Sequence, residues 1–94
     1  IVMNNKSWGA EKAYQKDFFG KRYLGADIAG PSFDKVAEIY GAKGFKVKRI
    51  SEIADAVDAA IKSNKPAVID VDVDPKALYS FRRDSFKHRE NKWI

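Results

Sequence analysis

The run Ala67-Val68-Ile69-Asp70-Val71-Asp72-Val73-Asp74 constrains this chain more than any other stretch. Apolar, mostly β-branched residues alternate there with carboxylates, and Pro75 closes the run. A period of two fixes a strand with one apolar and one acidic face. The segment ahead of it reads as a helix. Ser51 is the expected cap, Ile53, Val57, Ala60 and Ile61 share one face, and Ser63-Asn64-Lys65-Pro66 stops it. Before that helix, Phe45, Val47 and Ile50 mark a short strand with Lys46 and Lys48 on its other side. Strand, helix, strand in this order implies a crossover between parallel strands, and so a layered α/β fold.

The remaining elements extend this pattern. Pro31-Ser32 starts a helix whose Phe33, Val36, Ala37 and Tyr40 fall on one face, and Gly41 follows as its C′ residue. Residues 20–31 hold Gly20, Gly25, Gly30 and Pro31 and read as a loop, long enough to suggest a functional role. Ala10, Ala13, Tyr14 and Phe18 keep helical spacing between a Ser7 cap and a Gly20 stop. Ile1-Val2-Met3 opens as an apolar strand that Asn4-Asn5 breaks. Three strands are few for a parallel sheet. The expected fold is therefore a three-layer, Rossmann-like α/β arrangement: residues 1–75 as the C-terminal half of a larger domain that begins before Ile1, and residues 76–94 as a tail.

Composition narrows the function classes. At 94 residues there is room for one domain or part of one. With 13% aromatic residues the chain is not compositionally disordered. It has no Cys, which excludes disulfides, thiolate metal sites and a cysteine nucleophile, and is compatible with the expected cytoplasmic location. No apolar run approaches the roughly 20 residues of a membrane span, so no membrane association is expected. The net charge is +5, but residues 76–94 carry six basic and two acidic groups, which is +4 of it. A basic tail on a nearly neutral body argues against a nucleic-acid surface.

Several residues could carry chemistry. Asn4-Asn5 falls at the C-terminal end of a strand, where open α/β sheets bind ligands, just before a helix N-terminus that favours anions. Amide and loop carbonyl oxygens suit a hard cation such as Mg²⁺, so a Mg²⁺-diphosphate site is physically sensible; a plain strand-end turn is the alternative. Asp70 and Asp72 share a strand face and could bind a metal, or simply make a polar face near the edge or end of the sheet. The one histidine, His88, has no assignable partner. The tail interleaves Phe81 and Phe86 with Arg82, Arg83, Lys87 and Arg89, which suits either an acidic ligand or wrapping on the protein's own surface.

Ile1-Val2-Met3-Asn4-Asn5 resembles the second half of the motif of thiamine-diphosphate-dependent enzymes, a GDG followed further on by Asn-Asn at a strand end. The stretch from Ser32 to Pro75 is similar to the C-terminal cofactor-binding domain of the acetolactate synthase-like branch. Its Phe-x-x-Val-Ala-x-x-Tyr-Gly-Ala-x-Gly helix and its Pro-Ala-Val-Ile-Asp-Val strand carry the likeness. Within that branch, Ser7–Lys12, Gln15-x-Asp17-Phe18 and Phe81-Arg82-Arg83-Asp84 look most like the sulfoacetaldehyde acetyltransferase family, which cleaves sulfoacetaldehyde with phosphate to acetyl phosphate and sulfite.

The resemblance implies thiamine diphosphate and Mg²⁺ as cofactors. Asn5 would ligate Mg²⁺ through its side chain and Ser7 through its backbone carbonyl. The diphosphate would lie beside Ser7-Trp8-Gly9. Glu11 would handle protons or hold substrate, or else serve as a first-turn carboxylate that complements the helix dipole. Arg82 and Arg83 would grip phosphate or sulfonate, or pack the tail. The resemblance also implies a full-length homo-oligomer, dimer or tetramer, with the active site shared between subunits and a small-molecule substrate. The alternatives are acetolactate synthase or a related carboligase or decarboxylase, and a standalone α/β binding module.

Overall fold

The computed structural model describes residues 1–80, which form two compact units. The first comprises residues 1–5 and 29–74, and the second residues 6–28 and 75–80.

The first unit is a three-stranded sheet in the order β1-β3-β2, with strands β1 (Val2–Asn4), β2 (Lys43–Val47) and β3 (Ala67–Asp72). Every pairing is parallel, as the helix-separated strands require. The α/β fold with a parallel sheet and helices is as the element order implies. The sequence's strongest strand, β3, lies at the centre. Asp70 is therefore not a polar residue at the sheet's edge; it faces Val2 on one side and Lys46 on the other.

Helices cover both faces. Helix α3 (Ile53–Lys62) lays Ile53, Ala56, Val57 and Ala60 on Phe45, Val47, Ile69, Val71 and Val73. Each fully buried aliphatic side chain there contributes on the order of 1.5–3 kcal/mol. Side chains alternate along the strands, so Gly44, Lys46, Asp70 and Asp72 face the other way, toward helix α2 (Phe33–Ile39). Gly44 makes that packing possible. A Cβ there would stand 2.0 Å from the Asp34 carbonyl oxygen, so only glycine lets the α2 backbone lie against β2.

The helix ends show which expected signals the chain uses. After α2, Gly41 takes a left-handed φ of 77°. The Ala42 N–H donates to Ala37 O (2.9 Å) and the Gly41 N–H to Glu38 O (3.0 Å), a complete Schellman stop. Neither Ser7 nor Ser51, the expected caps, is the N-cap residue of its helix. Ser32 is the N-cap residue of α2, but its side chain accepts no capping hydrogen bond; a carboxylate from β3 accepts the Phe33 N–H instead. Ser51 lies inside a 3₁₀ turn (Ile50–Glu52) leading into α3. There Glu52 Oε2 accepts the Lys48 and Arg49 N–H groups, and these bonds hold its carboxyl below the usual range. Ile50, expected to extend β2, is 90% exposed in that turn. β3 ends at Asp72, two residues short of the expected end.

The second unit centres on helix α1 (Gly9–Phe18), with Trp8 rather than Ser7 as its N-cap residue. The loop after it is tied down at three points. Gln15 clamps Leu24 with both amide atoms, donating Nε2 to Leu24 O (2.8 Å) and accepting its N–H at Oε1 (3.3 Å). Ser7 and Asp27 form an antiparallel bridge, made by Trp8 N–H to Ala26 O (2.7 Å) and Ile28 N–H to Lys6 O (3.0 Å). Lys12 Nζ bonds Asp27 Oδ1 and lies 5.2 Å from the Tyr23 ring centroid. Lys16 Nζ also donates to Leu78 O (2.8 Å).

Candidate functional site

The C-terminal edge of the sheet is where the expected site residues gather in the first unit. β1 ends on Asn4, level with Asp72 of β3, and the Val73 N–H donates to Asn4 O (3.1 Å). Asn5 is the first residue past the strand and is half-buried. The chain then turns sharply, because Lys6 adopts a left-handed φ of 56°. That conformation is uncommon for a residue with a Cβ and concentrates at functional turns.

Behind this edge lies a charged cluster. Asp70 is fully buried. Its Oδ2 accepts from the Phe33 N–H (2.8 Å), from Asn4 Nδ2 (3.3 Å) and from Lys46 Nζ (3.3 Å). Lys46 Nζ also reaches Asp72 Oδ1 at 2.6 Å. Burial pushes the Asp70 carboxyl up, but those donors outweigh it and hold it below the ordinary aspartate range. The Asp72 hydrogen bond, with Asp70 beside it, holds the Lys46 ammonium above its ordinary value despite burial. The Lys46 ammonium thus occupies the place between Asp70 and Asp72 where the sequence allowed a metal. No group of three or more His, Cys, Asp or Glu side chains among the described residues could hold a metal ion.

In the second unit, Ser7, Trp8, Gly9 and Glu11 form the approach to α1. Ser7 Oγ donates to Asp27 Oδ1 at 3.3 Å, while the ladder of the Ser7–Asp27 bridge uses the backbone groups of Lys6 and Trp8. The Asp27 carboxyl is held below its usual range, chiefly by its hydrogen bond with Lys12. Trp8 is exposed, and Glu11 is an exposed carboxylate in the first turn of α1. Arg82, Arg83 and His88 lie outside the described residues.

Residues 1–71 match a family described as thiamine pyrophosphate enzyme, C-terminal TPP binding domain. This chain belongs to that family. Curated relatives of this thiamine pyrophosphate enzyme domain include the sulfoacetaldehyde acetyltransferase of Castellaniella defragrans, 34% identical over 90% of this chain and 15% of the relative. The probable acetolactate synthase large subunit of Methanococcus aeolicus is 32% identical over 84% of this chain and 13% of the relative. The mitochondrial acetolactate synthase catalytic subunit of Saccharomyces cerevisiae is 30% identical over 81% of this chain and 11% of the relative. The chain thus spans less than a sixth of the length of these relatives. No helix among the described residues is long and apolar enough to cross a membrane.

The donor chemistry of the family's cofactor fits the residues present. Asn5 places an amide at a strand end of the sheet, and the left-handed Lys6 turns the backbone immediately after it. An amide and backbone carbonyls are hard oxygen donors of the kind Mg²⁺ takes.

Sequence reasoning missed the Lys46 bridge and the threefold hydrogen bonding of Asp70. It also missed Gln15 and Lys12 as anchors of the loop after α1. The alternation of Lys46 and of Asp70 and Asp72 was visible, but the register that joins them was not.

Proposed function

We propose that this chain is the cofactor-binding C-terminal segment of a thiamine-diphosphate-dependent enzyme that converts sulfoacetaldehyde and phosphate to acetyl phosphate and sulfite. The observation that carries the reading is Asn4-Asn5 at the C-terminal edge of a parallel sheet in a chain of this family. The substrate assignment rests on the likeness to sulfoacetaldehyde acetyltransferase over nine-tenths of the chain. The likeness to acetolactate synthases makes acetolactate formation the second reading.

When bound, thiamine diphosphate supplies a nucleophilic carbon and an electron sink for breaking a bond beside a carbonyl. In this proposal the chain's own residues hold that group. The Asn5 side chain and the Ser7 carbonyl would hold Mg²⁺, and Trp8 and Gly9 at the start of α1 would lie beside the diphosphate. Glu11 holds substrate or a proton at its carboxylate, and Arg82 and Arg83 bind phosphate or sulfonate. The working enzyme is a cytoplasmic homo-oligomer with an active site shared between subunits.

Exposed apolar residues in the first unit support a larger assembly. Met3 on the edge strand β1 and Ile1 just before it, with Ile39, Tyr40 and Ile61, are uncovered. Such surface fits burial against further protein, either more of the same chain or a second subunit. The test is a phosphate-dependent assay of the full-length protein. Sulfite release from sulfoacetaldehyde is expected; acetolactate formed from pyruvate without sulfite release would overturn the substrate assignment.

A further inference from the structure

We infer that Asp70 is the positioning residue of the cofactor-bearing strand end: it fixes Asn4, and through Asn4 the placement of Asn5. This rests on the proposed role of Asn5 as a ligand.

A single oxygen, Asp70 Oδ2, collects donors from three elements of the first unit. One is the side chain that ends β1, one is the first N–H of α2, and one is the ammonium on β2. The other oxygen, Oδ1, is buried and accepts no hydrogen bond. Net stability alone does not call for that arrangement. A buried carboxylate costs several kcal/mol to desolvate, and an apolar residue of similar volume is often as stable or more so. The flanking Ile69 and Val71 show that the strand readily carries aliphatic residues. What the carboxylate adds is direction. It orients the Asn4 amide while the Val73 N–H holds the Asn4 carbonyl, so side chain and backbone of Asn4 are both fixed by β3 or the residue after it. Lys46, in turn, ties Asp70 to Asp72, the residue level with Asn4. The next residue along the chain is Asn5, which inherits a fixed starting point.

The experiment measures thiamine diphosphate binding to the full-length protein by calorimetry in the presence of Mg²⁺. It compares wild type, Asp70→Asn, Asn4→Ala, the double variant, and Val71→Ala as a control that weakens only the α3 face. Asp70→Asn should raise the dissociation constant on the order of tenfold, as loss of a ligand-orienting partner does. Val71→Ala should stay within about twofold of wild type, and the double variant should bind no more weakly than its weaker parent, because both changes break one path. Binding by Asp70→Asn within about twofold of wild type, or additive losses in the double variant, would overturn the inference. If Asp70→Asn does not fold, Asn4→Ala decides alone: weakened binding supports the inference and wild-type binding overturns it. Failure of the underlying ligand reading shows differently. Asn5→Ala would then bind like wild type, and this inference would fall with it.

Discussion

On the α3 side of the sheet, Val47, Ile69 and Val71 are buried against aliphatic residues and need only volume and apolarity. On the α2 side the same strands carry Asp70, Lys46, Asp72 and a glycine in direct contact with a helix backbone. The two faces tolerate change differently. The first is fixed by non-directional burial, and the second by hydrogen bonds with set partners and by a gap that fits no side chain. The directional face is the one that reaches Asn4 at the C-terminal edge of the sheet.

Substitutions on adjacent β3 residues should expose that asymmetry most strongly. Asp70→Ala strands the Lys46 charge and two other donors, and should cost about 3–5 kcal/mol in urea unfolding of the full-length protein. Ile69→Val, one residue away on the apolar face, should cost about 1 kcal/mol. Equal losses would erase the distinction between the faces. Gly44→Ala forces a methyl into the Asp34 carbonyl and should cost about 2–3 kcal/mol, at the upper end of overpacking.

The polar face should also carry its own pH signature. Asp70 titrates below the ordinary value of roughly 3.9, so its contribution is complete above that value and is lost as pH falls through the folded value. Lys46 titrates above roughly 10.4, so its contribution is complete below that value and is lost as pH rises past the folded one. Acid unfolding of Asp70→Asn should therefore be shallower below pH 4 than that of wild type. The smallest effect is expected at the turn after Asn5. Lys6→Gly relieves a left-handed backbone but adds chain entropy, leaving a gain of about 0.5 kcal/mol in the same unfolding measurement.

The apolar face was legible because period two and helical spacing are local signals. Val47, Ile69 and Val71 alternate within their strands, and Ile53, Val57 and Ala60 recur along α3. The polar face was not legible, because its partners are remote. Asp70 meets Lys46, Phe33 and Asn4 across 24, 37 and 66 positions, and only the strand order brings them together. Ser32 and Ser51 had the chemistry of caps, but the Asp70 carboxylate took the Phe33 N–H and Ser51 fell inside the 3₁₀ turn. The Asn4-Asn5 pair was visible as a motif. What its neighbours do to hold it became visible only once β1 was paired with β3.

The central claim is that this strand end carries the cofactor through Asn5. Titration of the full-length protein with thiamine diphosphate in Mg²⁺ tests it most directly, comparing wild type with Asn5→Ala. The account predicts that wild type binds and that Asn5→Ala loses at least on the order of 100-fold in affinity, beyond what loss of a supporting residue costs. Equal binding by the two proteins would contradict it.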